Sequence, residues 1–364
     1  MRIGHFETLR PVCPVCRSRG GADTCLSVTI AEAQQRDEIE SGIIGCPTCG
    51  AEFPVVDGMP ILVPDVRRFV EENLFYLLAR TDLTPAVESL LGDAAGAASG
   101  LQSIRQHVSS YVWDHWGDKD PAEKEPAPGA ASPGSIVRAL ERGLDLLSVD
   151  LPDGPVLDLG CGPGRPVAEL ASRTGRMVLG IDLSIPLARA ARRALVGGEV
   201  DYPRRRGGVV YDRRRFAVSA ADPRLVDVWI CDALALPFPP ETFGLVTAMN
   251  VLDCVTRPRQ ALVEIDRILK LAGETLLSLP FDWTGHVTPM EEWLGGHSQR
   301  APHEGSAEAI LEMLLADGAM AAGSLRRIGT PVEVPWHVRL HNRSCMHYTA
   351  HLLAARRGMN QNTG

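Results

Sequence analysis

The nine residues from Val156 to Gly164, VLDLGCGPG, carry the clearest chemistry in the chain. An apolar strand runs into a turn with glycine at 160, 162 and 164. Glycine lets the backbone approach a ligand closely, and the N-terminus of a following helix presents free N–H groups. In open α/β sheets, ligands lie beyond the carboxyl ends of the strands. Three more polar residues close apolar runs downstream: Asp182 after MVLGI, Asp232-Ala233 after DVWIC, and Asn250 after FGLVTAM. An acid at 182 can accept both hydroxyls of a ribose. An acid at 232 can accept from the exocyclic amine of adenine. Singly, Asp182 reads equally as a helix cap and Asp232 as a turn former. Jointly they predict an adenosine-bearing ligand across Asp158, Gly160, Cys161, Gly162, Gly164, Asp182, Leu183, Asp232, Ala233 and Asn250.

A second constellation lies near the N-terminus. Cys13-Pro14-Val15-Cys16 and Cys46-Pro47-Thr48-Cys49 form two CxxC pairs with 29 residues between them. Two such knuckles can supply four thiolates to a tetrahedral structural zinc. Cys25 lacks a CxxC partner and reads as a spare ligand at most. Cys231, Cys254 and Cys345 have no metal spacing, and His337, His341 and His347 offer only a weak further metal reading.

The elements that must position these residues follow from composition. The chain has 364 residues, 45% hydrophobic and 23% charged, with a net charge of −8. That is an ordinary globular balance, and it gives no global polyanion-binding surface. The first residues, MRIGHFETLRPV, lack an apolar core and a cleavage site, and no apolar run approaches the ~18 residues of a membrane span. A cytoplasmic protein without membrane contact is expected; its oligomeric state is left open. Residues 1–64 hold the cysteine pairs, 65–116 read as a helical connector, 117–134 as a Pro/Gly/Ser-rich linker, and 135–364 as alternating strands and helices. Helices are predicted at 135–148 with Ser135 as N-cap, and at 165–173, 184–196, 258–271 and 305–316. Strands are predicted at 155–160, 177–182, 226–231, 243–249, 274–280, 324–334 and 344–356. The last two have no helix between them and should pair antiparallel at one edge. The fold class is therefore α/β: a doubly wound, mostly parallel, seven-stranded Rossmann-like sheet with a small N-terminal zinc-binding domain.

Residues 135–356 resemble class I S-adenosylmethionine (SAM)-dependent methyltransferases. The resemblance rests on DxGxGxG (Asp158, Gly160, Gly162, Gly164), the acid at 182, the DA–LALPF segment and RILKLAG. It implies SAM bound across Asp158 to Ala233. A NAD-dependent reductase would use the same architecture, but the DA–LALPF segment and the terminal hairpin argue against it. SGIIGCPTCGAEFPVVDGMPILVPD resembles the zinc-ribbon family that includes the small activator subunit of tRNA and protein methyltransferases.

The SAM sulfonium makes its methyl group electrophilic already, so an enzyme of this class must mainly align a nucleophile and exclude water. On the acceptor side, NVLD (Asn250–Asp253) and FDW…TPMEEWLGG (Phe281–Gly296) resemble the methyltransferase domain of ovothiol-synthesis enzymes and DREV-type protein-histidine methyltransferases. Both groups methylate an imidazole nitrogen. The chain departs from them at Cys254, where they tend to have Arg, and the ovothiol enzymes' sulfoxide synthase part has no counterpart in it. The resemblance implies Asp253 and Asn250 as catalytic residues and Trp283, Trp293, Phe281 and His297 as acceptor-binding residues. Asp253 would accept the imidazole N–H and fix the tautomer. For the tryptophans, plain packing is an equal alternative; for Asp253, a helix cap.

The expected acceptor is thus an imidazole in a small molecule or peptide. RRRGGVVYDRRR holds six arginines within Arg204–Arg215 and reads as an inserted loop. Arginine clusters bind phosphate, so an RNA base is a competing acceptor. A ribbon also occurs fused to a bacterial ribosomal RNA guanine methyltransferase. A non-catalytic SAM-binding scaffold is the third reading, and the intact glycine turn weighs against it.

Overall fold

A computed structural model describes residues 1–35, 37–124, 130–316 and 323–358 of the chain. Part of the expected linker, 125–129, lies outside the described residues. The N-terminal segment contains α1 (Ile3–Leu9), α2 (Pro14–Ser18), β1 (Ser27–Gln35), β2 (Glu38–Gly45), β3 (Glu52–Val56) and β4 (Met59–Leu62). The connector holds α3 (Val66–Leu78), α4 (Pro85–Ala95) and α5 (Gly100–Trp116). Then follow α6 (Ser135–Leu144), β5 (Val156–Leu159), α7 (Arg165–Thr174), β6 (Val178–Ile181), α8 (Ile185–Leu195), β7 (Glu199–Gly207), β8 (Val210–Ala217), β9 (Val226–Cys231) and β10 (Phe243–Met249). The chain continues through α9 (Pro258–Ile268), β11 (Leu269–Leu279), α10 (Ala307–Leu314), β12 (Leu325–His341) and β13 (Ser344–Arg357).

Strands β5, β6, β9 and β10 are buried along their whole length. That is the signature of parallel strands covered on both faces. Successive residues feed opposite cores: Val156 and Val178 pack with α6, α7 and α8, whereas Leu157, Leu159, Leu179 and Ile181 pack with α9, α10 and the N-terminal segment. The sheet order is β9-β6-β5-β10-β11-β13-β12, parallel from β9 through β11, with the terminal hairpin antiparallel on β11. This is the doubly wound, Rossmann-like arrangement expected from the sequence. Strand order reverses beside β5, which opens a crevice at the carboxyl ends of β5 and β10.

The structure changes five local expectations. The sheet has eleven strands among the described residues, because β4 lies parallel on β9 (Ile61 opposite Ile230, Leu62 opposite Cys231) and β1–β3 continue from it. Without β4, β9 would be an open edge of unpaired backbone groups. Helix α9 stops at Ile268, because Leu269 turns extended and pairs with Phe243 in the sheet. Ser135 is the first helical residue rather than the N-cap. The capping oxygen comes from Asp114 of α5, whose Oδ1 accepts from Ser135 N (2.7 Å) and Ser135 Oγ (2.6 Å). Its Oδ2 accepts from the Trp336 indole at 3.0 Å, so one buried carboxylate joins α5, α6 and β12.

The two terminal strands are longer than predicted and turn over Asn342-Arg343. Finally, the arginine loop is the hairpin β7–β8. Val200, Tyr202 and Phe216 form its apolar face, buried against α5 and α8. Five of its six arginines meet carboxylates: Arg204 pairs with Glu123, Arg206 with Asp212, Arg213 and Arg215 with Asp201, and Arg214 with Asp120, while Arg205 Nε donates to Gly208 O.

Candidate active site

The turn after β5 needs its glycines. Gly160 and Gly162 sit at φ 70° and 50°, and a Cβ at Gly160 would collide with Val251. Backbone N–H groups of Gly160 and Cys161 donate to Ile181 O at 2.8 and 2.9 Å, fastening the turn to the end of β6. Asp182 completes the anchor: Oδ2 accepts from Gly162 N (2.9 Å) and Oδ1 from Ser184 N (2.7 Å). Each oxygen keeps a lone pair for a ligand hydroxyl. Asp232 bends the chain after β9, with Oδ1 accepting from Leu234 N at 2.9 Å. Asn250 stands at φ 57°, held by its N–H to Ser278 O (2.8 Å) and by Ser278 Oγ donating to its Oδ1 (2.7 Å).

These strand ends surround a cavity of about 310 Å³. Asp158, Gly160, Gly162, Asp182, Leu183, Asp232, Ala233 and Asn250 line it. Gly164 and Cys161 do not: Gly164 is the N-cap of α7, and Cys161 is buried with its sulfur 2.9 Å from where a Cβ on Gly180 would sit. Asp158 is wholly buried. Its Oδ1 accepts from Thr247 Oγ1 at 2.6 Å, but its Oδ2 has no partner among the described residues. An orphaned carboxylate oxygen beside the glycine turn fits a ligand that brings an ammonium.

Residues 157–277 match the family model described as a methyltransferase domain. The chain carries a class I SAM-dependent methyltransferase domain. A 37.1 kDa protein of a Streptomyces fradiae transposon, itself uncharacterized, is 31% identical over 135 residues, which are 36% of this chain and 31% of that one. The chain thus spans about a third of the length of that curated relative. Among solved structures, the [4+2]-cyclase SpnF is 17% identical, with 75% of this chain and 97% of that one covered at a TM-score of 0.45. A SAM-dependent methyltransferase from Methanosarcina mazei is 20% identical, covering 59% and 96% at 0.38. A chain from the complex of the Haloferax volcanii Trm112 methyltransferase activator with a methyltransferase is 17% identical, covering 62% and 93% at 0.39.

Burial, and secondarily the Asp182 charge, pushes the Asp158 carboxyl up to about 7. Only the ionised form can hold the donor's ammonium. Affinity for S-adenosylhomocysteine should therefore rise by up to about tenfold per pH unit below pH 7 and level off above it. Calorimetry between pH 5.5 and 8 checks this. Asp158→Asn should flatten the profile, and a flat wild-type profile would contradict it.

The cavity is also lined by residues that sequence patterning missed. His107, Tyr111 and His115 of α5 and Trp336 of β12 line it together with Cys254, Val255, Thr256 and Val287. The first three recur at i, i+4 and i+8, a single helical face. That spacing is visible in QHVSSYVWDH, but nothing local says which way the face points. The rings are linked, His107 to Tyr111 at 4.7 Å and Tyr111 to Trp336 at 6.4 Å between centroids.

Of the acceptor-side residues expected from the sequence, Asn250 lines the cavity, whereas Asp253, Phe281, Trp283, Trp293 and His297 sit outside this lining. Asp253 is buried just behind Cys254, and its Oδ2 accepts from Asp282 N at 3.0 Å. Burial raises its pKa. Trp283 and Trp293 stack on each other at 6.1 Å and 15°, and the Trp293 indole donates to Thr288 O at 2.8 Å. Phe281 packs toward His351, and His297 is exposed. The tryptophan pair thus braces the loop after β11 instead of presenting faces to the cavity.

Cys13, Cys16, Cys46 and Cys49 come together, with all four sulfurs within 4.8 Å of one another. The closest pairs, Cys13–Cys49 and Cys16–Cys46, are 3.6 and 3.7 Å apart. A tetrahedron with Zn–S of about 2.3 Å has S···S edges of about 3.8 Å, so the cluster has the dimensions of a zinc site. Cys25 stands outside it, exposed. Among the described residues, the histidines of β12 and β13 form no metal-spaced group.

Proposed function

We propose that this protein transfers the methyl group of SAM to an imidazole nitrogen of a small molecule or peptide, and that the four cysteines hold a structural zinc. SAM, when bound, supplies an electrophilic methyl group. Asp182 and Asp232 hold its adenosine, and Asp158 and Asn250 its amino-acid part. The rings of Tyr111 and Trp336, with Val255 and Val287 opposite, form flat walls for the acceptor and exclude water.

The observation that carries the imidazole reading is the buried Asp253 carboxylate directly behind the cavity wall. Its Oδ2 is engaged by Asp282 N–H, and that loop is tied in turn by Tyr348 Oη donating to Asp282 Oδ2 at 2.7 Å. Its Oδ1 meets the Cys254 thiol at 3.8 Å, a weak contact that a ring N–H can replace. Burial makes this carboxylate a stronger base, suited to take the proton as the methylated ring becomes cationic. The RNA reading loses much of its support, because five of the six arginines of β7–β8 are paired with carboxylates of the same chain.

The test is a methylation assay with histidine, thiohistidines and histidine-containing peptides. Turnover on at least one is expected, and Asp253→Asn should lower kcat/KM by about 100-fold with unchanged S-adenosylhomocysteine affinity. Binding of S-adenosylhomocysteine without turnover of any imidazole would remove the acceptor assignment and leave the methyltransferase class intact.

A further inference from the structure

His115 is 6% exposed and lies against the glycine turn, its Cε1 and Nε2 each 3.3 Å from where a Cβ on Gly162 would sit. Its Nδ1 is the acceptor of the Arg165 backbone N–H at 3.3 Å, at the first residue of α7. A nitrogen that accepts cannot carry the proton, so the neutral ring must carry it on Nε2. Burial, with the nearby Arg165 cation, lowers the pKa to about 3, which keeps the ring neutral. Nε2–H has no acceptor among the described residues, and the ring lines the cavity. That N–H is therefore available to donate to a ligand in the cavity.

The same turn holds the opposite deficiency. Asp158 Oδ2 is a buried acceptor without a donor. With the adenosine end placed at Asp182 and Asp232, the amino-acid end of the methyl donor lies over Gly160–Gly162. That end is a zwitterion. Its ammonium matches Asp158, and its carboxylate matches a fixed, neutral N–H donor on the α5 side.

We propose that His115 is a donor-binding residue whose Nε2–H holds the carboxylate of SAM, so that α5 clamps the amino-acid end of the cofactor. The proposal rests on the reading of the cavity as the SAM site. It also gives α5 a task that the strand-end motifs leave unfilled. The carboxylate, once held, fixes the rotation of the sulfonium arm and hence the direction of its methyl group.

The discriminating probes are S-adenosylhomocysteine and 5′-methylthioadenosine, which lacks the amino-acid end, each titrated calorimetrically into the intact protein. His115→Phe keeps the ring volume and removes the donor. It should weaken S-adenosylhomocysteine by about 10–100-fold and leave methylthioadenosine within about threefold, the size of one hydrogen bond to a charged group. His115→Gln, which returns an N–H near the Nε2 position, should recover part of the loss. Equal weakening of both ligands in His115→Phe would assign the ring to packing and overturn the proposal, as would no change in either. If His115→Phe does not fold, failure of a folded His115→Gln variant to prefer S-adenosylhomocysteine over methylthioadenosine would overturn it equally. Binding of neither ligand by the wild-type protein is a separate result; it would remove the SAM reading and this proposal with it.

Discussion

Cys46→Ser is expected to release the zinc and lower Tm by about 10 °C or more. Structural zinc sites contribute several kcal/mol or more to folding, and each kcal/mol moves Tm by about 2–4 °C in a domain of this size. The effect should reach the cofactor site, because the cysteine segment is built into the sheet. Phe6 packs against Trp229 of β9 at 6.3 Å between centroids, and both belong to one core with Cys13, Cys16 and Cys46. Val12 N donates to Pro237 O at 2.9 Å, and Arg17 Nη1 donates to Leu236 O at 2.6 Å. Leu236 and Pro237 lie three and four residues beyond Ala233, in the loop that carries the proposed adenine-side pair Asp232-Ala233. Metal loss should therefore loosen that loop and weaken S-adenosylhomocysteine binding along with overall stability. Metal analysis of the purified chain, thermal melts and calorimetry on the wild type and Cys46→Ser decide the matter. A metal-free wild-type protein with the same Tm as the variant would rule the zinc out.

Asp182→Ala is expected to weaken S-adenosylhomocysteine by about 1,000-fold. Two hydrogen bonds from ribose hydroxyls to a charged acceptor contribute about 1.5–3 kcal/mol each, and every 1.4 kcal/mol is tenfold. The carboxylate also holds Gly162 N and Ser184 N, so its loss frees the glycine turn and the start of α8 together. Asp182→Asn separates the two roles. It keeps an acceptor oxygen for one backbone N–H but brings an NH₂ against the other, and it removes the charge. An affinity near that of the wild type in Asp182→Ala would show that the ribose lies elsewhere. Far-UV spectra and melting curves of the variant guard against reading unfolding as lost affinity.

The local chemistry was legible in the residues themselves. A strand that ends in spaced glycines needs no distant information, because the positive φ values at Gly160 and Gly162 follow from residue type and crowding at the turn. The two CxxC pairs likewise carry their own geometry, since each knuckle folds its sulfurs toward one point: Cys13 caps α2 with its sulfur accepting from Cys16 N at 3.4 Å. Continuous apolar runs identified the buried parallel strands, because a strand covered on both faces has no polar side to show.

Only the tertiary structure decided what depends on which distant surfaces meet. The parallel pairing of β4 with β9 joins residues about 170 positions apart and leaves no local pattern. The arginines of β7–β8 read as a phosphate-binding loop until their carboxylate partners, among them Asp120 and Glu123, were brought beside them from the segment after α5. The stacking of Trp283 on Trp293 was hidden in the same way, because two aromatic residues ten positions apart in a loop have no periodicity to orient them. Residue type and spacing determined that VLDLGCGPG, Asp182 and Asp232 could form a SAM site. The packing of α5 against β12, pinned by Asp114, decided that His107, Tyr111 and His115 would close it, because the direction of a helix face is set by what that helix packs against.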